Sequence, residues 1–528
     1  MASLNTYSGN WGRTQVVHLL KRTLFGAKPA DIGYFLSKNM LQSVDELLTL
    51  SANPPAPPLN YYEGLDLGGG LTMKDADKIP KGQTWINGTY GDGTTNFLRA
   101  ESIKAWWFAN LLNQGRSIEE KLILFWSNHF VTELRAGGGA TAAYRLVELY
   151  RKYAFSPLKT LMVEVSKNPQ MCHYLNGYLN TKNSPDENYA RELQELFSVG
   201  KGLDSKYTES DVKEAARVLT GLSLDWQKQQ YIFYDNLHDT GDKTFSTFYG
   251  NKVIKGRTGV DGELELIELV DMLLNTNECA KYICRKIYKF FVNYDITSDV
   301  ESNIISPLAD IYRSNGYNLK PVLDKLLKSE HFYEKVIISA YIKTPLDLMV
   351  GFCRESGVQQ PGPNPIETQY KFWLDLYYSA GIQNQFLGDP PNVAGWPAFY
   401  QTPLFYETWV NSDTYPKRVL YPTYFLYGGY ANSFDVIRFA SQYPNVSDPV
   451  KFIADLCSSI YTLDVSQSAQ DSMRVEILQG GLPSESYWTS AWNSYLQDPG
   501  NATNKAVVVN RLNQLLSYLI QSPQYQLC

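Results

Sequence analysis

Helical periodicity is the sequence feature that most constrains the fold. Along most of the 528-residue chain, apolar residues recur at the three- and four-residue spacing of amphipathic helices. Residues 226–260 are different, because they contain the short β-like runs YIFYD and NKVIKG. We therefore predict an all-α fold: a large multi-helix, bundle-like assembly with long irregular loops and at most a small β-hairpin.

Two irregular stretches interrupt the helical pattern. Residues 53–92 contain PPAPPLN, LGGG and NGTYGDG, and residues 384–431 are rich in Pro, Gly and aromatic side chains. We predict that residues 1–430 form the main helical domain, with the insertion 53–92 and the irregular segment 384–431. Residues 431–528 are predicted to form a C-terminal helical subdomain packed on it.

Charge, hydropathy and cysteine usage narrow the classes of partner and compartment. The net charge is −6 and no long run of Lys and Arg occurs, so a nucleic-acid partner is not expected. No apolar run approaches the roughly 20 residues of a membrane helix, and the start MASLNTYSGNWGRTQ does not resemble a signal peptide. We expect a cytoplasmic location, with a periplasmic or cell-envelope location as the alternative.

The 6 cysteines are widely spaced along the chain, and this spacing favours buried free thiols.

One helix, within residues 184–202 (SPDENYARELQELFSVGKG), carries the clearest chemical signal. Ser184 is predicted to be its N-cap, Pro185 its first residue and Glu187 its capping-box glutamate. Gly200 is predicted to end it in the left-handed conformation.

A row of polar residues borders the apolar face of this helix. Asn188, Glu192 and Glu195 follow one another at steps of four and three residues. Acids beside an apolar face need a neutralising partner. The first interpretation is an ion network, in which Arg191 belongs to an i, i+4 ladder with Glu195 and Arg217 holds Glu192.

The second interpretation is a functional acid cluster. Glu192 and Glu195 can reach one point, where a divalent metal could bind both, with His129 or His238 completing the site. His129 shares a helix face with aromatic residues, so it is either a core histidine bonded to a backbone carbonyl or a ligand or proton carrier. His238 and Asp239 lie in a predicted loop, either as metal-binding or acid–base groups or as part of a turn.

Four blocks occur in order along the chain: HLLKRTLFG from His18, FWSNHF from Phe125, PDENYAREL from Pro185 and PPNVAGWP from Pro390. In this order they resemble the bacterial family called "domain of unknown function 1800" over nearly the whole chain. The chain departs from the family at Ser127, where a second histidine is often found. The resemblance implies no reaction, because the family's function is unassigned. It implies a protein partner by association, since members are often encoded beside a second family with secreted, sulfatase-like features.

Two hypotheses for function follow. The first is an enzyme with an acidic site that could hold a divalent metal and perform hydrolysis or an oxidative step. Its predicted catalytic residues are Glu192, His129, His238 and Asp239. Its predicted metal ligands are Glu192, Glu195, His129 and His238. Its predicted binding residues are Asn188, Arg191, Glu195, Arg217 and Trp396.

The second hypothesis is a non-catalytic binding or scaffold protein whose aromatic loops, 53–92 and 384–431, hold a glycan or a protein partner. Convergence of the acids and histidines in a concave pocket favours the enzyme, and an arginine partner for every acid favours the scaffold.

Overall fold

The computed structural model describes residues 2–135, 138–202 and 204–528. α-Helices dominate these residues, which confirms the predicted all-α class. The first group is α1 (Arg13–Thr23), α2 (Pro29–Leu36), α3 (Met40–Leu47), α4 (Gly93–Asn113), α5 (Glu119–His129), α6 (Ala140–Lys152), α7 (Leu158–Ser166), α8 (Pro169–Tyr174), α9 (Asn188–Glu195) and α10 (Glu209–Val218). The second is α11 (Leu264–Leu274), α12 (Asn277–Phe291), α13 (Ser298–Val300), α14 (Ser306–Ser314), α15 (Leu319–Leu327), α16 (Pro345–Ser356) and α17 (Ile366–Ile382). The last is α18 (Thr414–Tyr424), α19 (Gly429–Asn432), α20 (Val436–Ala440), α21 (Pro449–Ile460), α22 (Gln467–Ser472), α23 (Ser486–Gln497) and α24 (Ala502–Gln521).

The β structure consists of short antiparallel pairs rather than the single hairpin that the sequence predicted. These pairs are β1 (Asp66–Gly68) with β2 (Leu71–Thr72), β3 (Leu222–Asp225) with β4 (Gln230–Phe233), and β5 (Lys243–Thr244) with β6 (Val253–Ile254). The two predicted β-like runs contribute β4 and β6. They do not pair with each other, because each finds a partner strand closer in the chain.

Helix α9 is shorter than predicted at both ends. Ser184 does not cap it, because its backbone forms a β-bridge with Thr181. The side chain of Asp186 accepts the N–H of Asn188 at 2.9 Å instead, and the helix begins there. Gly200 has a φ of +77°, which confirms its predicted left-handed conformation.

The insertion 53–92 is anchored on α4 by a buried ion pair. Arg99 Nη2 lies 2.8 and 2.9 Å from the two carboxylate oxygens of Asp75, and both side chains are excluded from solvent. Tyr62 donates its hydroxyl to the same carboxylate at 2.7 Å. Trp85 is fully buried and donates its indole N–H to Ser102 Oγ on α4 at 2.8 Å. The insertion therefore packs on α4 through buried polar contacts and shields this face of the helix from solvent.

The hydrophobic core includes side chains from both predicted domains, from Val16 to Ile520. Helix α24 packs against α18 and α20, so the C-terminal helices join the rest of the chain. The boundary at residue 430 stays a prediction. All six cysteines are buried and unpaired, as the sequence favours. Across the ranges that the structure describes, no helix is long and apolar enough to cross a membrane.

Candidate functional site

The predicted acidic row lies at the edge of α9, and its two glutamates have different surroundings. Glu195 accepts hydrogen bonds from Lys201 Nζ at 2.9 Å and from the Tyr207 hydroxyl at 3.2 Å. Glu192 is half-buried, and its carboxylate makes no hydrogen bond or ion pair within the described part of the chain. Burial, and then the charge of Glu195, raises the pKa of Glu192. Asn188, at the start of the row, is exposed.

The arginines of the predicted ion network bind other acids. Arg191 contacts Glu187 at 3.1 Å, as the i, i+4 spacing predicts, and also Glu209 at 2.7 Å on α10. It does not pair with Glu195, which binds Lys201 instead.

Arg217 does not hold Glu192. Its Nε lies 2.8 Å from Asp239 Oδ2, and its Nη1 lies 2.8 Å from Glu214 Oε2. This ion pair, together with the backbone N–H of Gly241, lowers the pKa of Asp239 against the opposing effect of burial. Asp239 therefore acts as an anchor for Arg217 and not as a free acid–base group.

His129 is buried at the end of α5, with both ring nitrogens bonded. Its Nε2 lies 3.1 Å from the carbonyl oxygen of Phe197, which can only accept, so Nε2 carries the proton. Nδ1 then accepts from Lys286 Nζ at 3.1 Å. Burial, and then the neighbouring Lys286, lowers the pKa of His129 well below its usual value. These contacts are those of a core histidine bonded to a backbone carbonyl.

His238 belongs to a separate buried network that fastens the 226–260 excursion. Its Nδ1 lies 2.9 Å from the carbonyl of Thr220, and its Nε2 lies 3.1 Å from Glu265 Oε1. The other oxygen of Glu265 accepts from Lys243 Nζ at 2.6 Å, and Arg257 donates its backbone N–H to Oε1 at 2.7 Å. The role of Glu265 as the acceptor at the centre of this network was not predicted from the sequence. The only sequence signal for it is an acidic residue placed among the leucines of α11.

The structure does not bring the four predicted metal ligands together. No hydrogen bond found for His129 or His238 in the described chain involves Glu192 or Glu195. In residues 2–135, 138–202 and 204–528, no three His, Cys, Asp or Glu side chains are grouped as metal ligands would be. The geometry therefore separates the acidic row from both histidines.

The block FWSNHF, which begins at Phe125, and the block PPNVAGWP, which begins at Pro390, contact each other at Trp396. Its backbone N–H donates to Asn128 Oδ1 on α5 at 3.1 Å, and its side chain is buried. Gly395 precedes it with a φ of +97°, and a Cβ there would overlap Asn128 Oδ1. Close packing of the two blocks therefore requires glycine at this position.

Beside this contact lies a cavity of about 480 Å³, which we call the tryptophan pocket. It opens between the segment that follows α5, the end of α17 and the irregular segment 384–409. The residues that line it include Glu133, Arg135, Asn384, Phe386, Asp389, Trp396, Thr408 and Trp409. Of the predicted site residues, only Trp396 lines this pocket.

The polar groups of the tryptophan pocket differ in how firmly they are held. Asp389 accepts the N–H of Arg135 at 2.9 Å and the hydroxyl of Tyr377 at 3.0 Å, and Lys104 Nζ is 3.7 Å away. Among the described residues, the Glu133 carboxylate accepts one side-chain hydrogen bond, from the Tyr174 hydroxyl at 3.3 Å. The Arg135 guanidinium lies over the Phe386 ring at 4.7 Å, with half of the side chain exposed.

One buried donor of the pocket has no protein acceptor. The indole Nε1 of Trp409 is excluded from solvent and has no hydrogen-bond partner in the described chain. An unsatisfied buried N–H is costly unless a ligand or water accepts it. The pocket thus combines aromatic walls with an available acceptor at Glu133 and a half-exposed guanidinium at Arg135, whose Nε also lies 3.4 Å from Asp389 Oδ2.

Comparison with known proteins assigns a family but no activity. A family model described as "Protein of unknown function (DUF1800)" matches residues 18–527. No curated protein and no solved structure matches the chain.

Proposed function

Since the chain belongs to the DUF1800 family of proteins of unknown function, we propose its function from its geometry: it binds a neutral glycan in the tryptophan pocket. The observation that carries the proposal is a cavity of about 480 Å³ whose wall contains a partly exposed Phe386 beside two tryptophans, with hydrogen-bonding groups at Glu133 and Arg135. That volume is within the range of about 300–1,000 Å³ that small-molecule sites occupy.

The chemistry of the walls supports a sugar. Sugar rings present C–H faces that pack on aromatic side chains, and hydroxyl groups that both donate and accept hydrogen bonds. Phe386 is partly exposed and supplies aromatic surface, whereas Trp396 and Trp409 are only 1% and 2% exposed and contribute to the wall from within it. Glu133 can accept from a hydroxyl, and the exposed Arg135 guanidinium can donate to one.

The charge arrangement disfavours an anionic ligand. Asp389 pairs with Arg135 Nε at 3.4 Å, and Lys104 behind it lies 3.7 Å from Asp389 and 2.6 Å from Glu101, so both cations are already engaged by carboxylates. An anion would meet an excess of carboxylates in a half-enclosed cavity, which is unfavourable, whereas a neutral sugar leaves these ion pairs intact.

This proposal develops the binding-protein hypothesis rather than the enzyme hypothesis. The predicted catalytic residues Glu192, His129, His238 and Asp239 do not line the tryptophan pocket. A glycan is one of the two partner classes that we predict. The partner from the neighbouring sulfatase-like family stays a prediction, as does the compartment.

Isothermal titration calorimetry with neutral mono- and oligosaccharides tests the proposal, with a uronic acid and an amino sugar as charged comparisons. We expect a neutral saccharide to bind best. Glu133→Gln and Arg135→Ala should weaken binding at least about tenfold, because each removes a hydrogen bond to a charged group worth about 1.5–3 kcal/mol. Arg438→Ala, which removes an exposed arginine on α20, should leave binding unchanged.

Two results would contradict the proposal. One is a preference for a charged sugar, or no saccharide binding at millimolar concentration. The other is unchanged affinity in both pocket variants, which would place the bound sugar elsewhere.

A further inference from the structure

A second, much smaller cavity lies between α5 and α12, and we call it the lysine cavity. Its volume is about 20 Å³, and it is lined by Phe125, Asn128, His129, Lys286, Lys289, Phe290 and Phe399. Lys286 and Lys289 are three residues apart on α12, so their side chains emerge from the same face of that helix. In the part of the chain that the structure describes, no acidic residue lines this cavity.

Neither lysine has an anionic partner within the described residues. Lys286 Nζ lies 3.1 Å from His129 Nδ1 and 3.3 Å from the carbonyl of Leu196. Lys289 Nζ lies over the Phe405 ring at 3.7 Å. A protonated lysine has three N–H donors, so Lys286 retains one for another acceptor.

Asn128 adds a further donor to the lysine cavity. Only 9% of this residue is exposed, and its Oδ1 accepts the backbone N–H of Trp396. Its NH₂ group donates to no residue in the described chain. Two lysine side chains and one buried amide thus line a cavity that has no carboxylate among its described lining residues.

We propose that the lysine cavity binds one small monovalent anion of halide size, such as chloride. The cavity has room for about one water-sized particle, which excludes a sugar or a nucleotide. A water molecule could accept the free hydrogen bonds, but it would leave the two ammonium charges without a counter-ion. A halide accepts these hydrogen bonds and also compensates charge.

The titration of the two lysines agrees with a missing counter-ion. Burial, and then the charge of Lys289, lowers the pKa of Lys286 to about 7. Burial, and then Arg285, lowers the pKa of Lys289 to about 8, against the opposing charge of Asp295. His129 faces the same space and stays neutral, because its pKa is also lowered.

The pH dependence of halide binding follows from these values. An anion binds the protonated amines, so its affinity is highest where both lysines are charged. It should fall as the pH rises through about 7 and about 8. His129 does not change this sign, because it is neutral throughout that window.

Thermal denaturation at constant ionic strength tests the proposal, with sodium chloride or bromide compared against sodium gluconate, whose anion is too large for the cavity. We expect a saturable rise in Tm with halide at pH 6.5 that is largely lost at pH 9. Lys286→Met and Lys289→Met should abolish the halide response. Lys281→Met, on the same helix but outside the cavity, should retain it.

The same variants separate anion binding from a purely structural role. In gluconate, Lys286→Met should be at least as stable as the wild type, because it removes a partly buried charge that lacks a counter-ion. A crystal soaked in bromide should show an anomalous peak between Lys286 and Lys289. An equal halide response in all variants, or bromide peaks only at other positions, would overturn the proposal.

Discussion

The carboxylate of Glu265 offers the most direct test of how the 226–260 excursion is held. It is fully buried, as are Lys243 and His238, which bind it. Glu265→Gln keeps the size of the side chain but removes its charge. It also points an NH₂ group at the ammonium of Lys243 or at the N–H of Arg257, both of which are donors.

The expected cost follows from this geometry. Removing one partner of a buried ion pair leaves the other charge uncompensated, which typically costs about 3–5 kcal/mol. The matched control is Glu268→Gln, one turn further along α11. Glu268 is 28% exposed and pairs with Arg257 and Lys252 near the surface. A partly exposed pair of this kind contributes about 0–1 kcal/mol.

The assay combines the midpoint of urea denaturation, followed by tryptophan fluorescence, with hydrogen exchange in residues 226–260. Glu265→Gln should lower the midpoint clearly and increase exchange in this excursion, whereas Glu268→Gln should change both little. Equal effects of the two variants would refute the assignment of Glu265 as the anchor.

Three further predictions concern other parts of the chain. His18 is buried with its pKa lowered to about 3, so acidification from pH 7 to 5 should cost about 2 kcal/mol as the unfolded chain takes up the proton; His18→Gln should flatten this slope in urea titrations. Asp75→Asn should leave the buried Arg99 guanidinium with only the partly exposed Asp77 as an anionic partner, and should therefore speed protease cleavage within residues 53–92; unchanged cleavage rates would count against the ion-pair anchor. Gly395→Ala should lower Tm and saccharide affinity, because a Cβ there overlaps a neighbouring side chain; Gly362→Ala, in open space, is the control.

The fold class could be predicted from the sequence because helical periodicity is a local property. Helix ends were predicted less well, since they depend on competing local bonds. Serine is a residue type that favours the N-cap position, but the backbone of Ser184 pairs with that of Thr181. The Asp186 side chain accepts the Asn188 N–H instead.

The candidate site residues could be predicted from the sequence only in part. The sequence indicates an acidic row and Trp396, and it predicts that the segment 384–431 could hold a ligand. The ion-pair partners could not be predicted, because Arg217 and Asp239 come together only in the tertiary fold. Lys286 and Lys289 resemble an ordinary charged helix face in the sequence; only their partial burial beside a cavity, without an acid among its described lining residues, sets them apart.

The ion pair between Asp75 and Arg99 couples the insertion 53–92 to helix α4. A chain that lost residues 53–92 would lose both carboxylates that pair with Arg99 and would uncover the α4 surface beneath, where Trp106 donates its indole N–H to the carbonyl of Ala56. Loss of the insertion during evolution would therefore require polar replacements on this face of α4. For the same reason, a deletion designed to test this insertion as a binding loop needs such replacements to give an interpretable result.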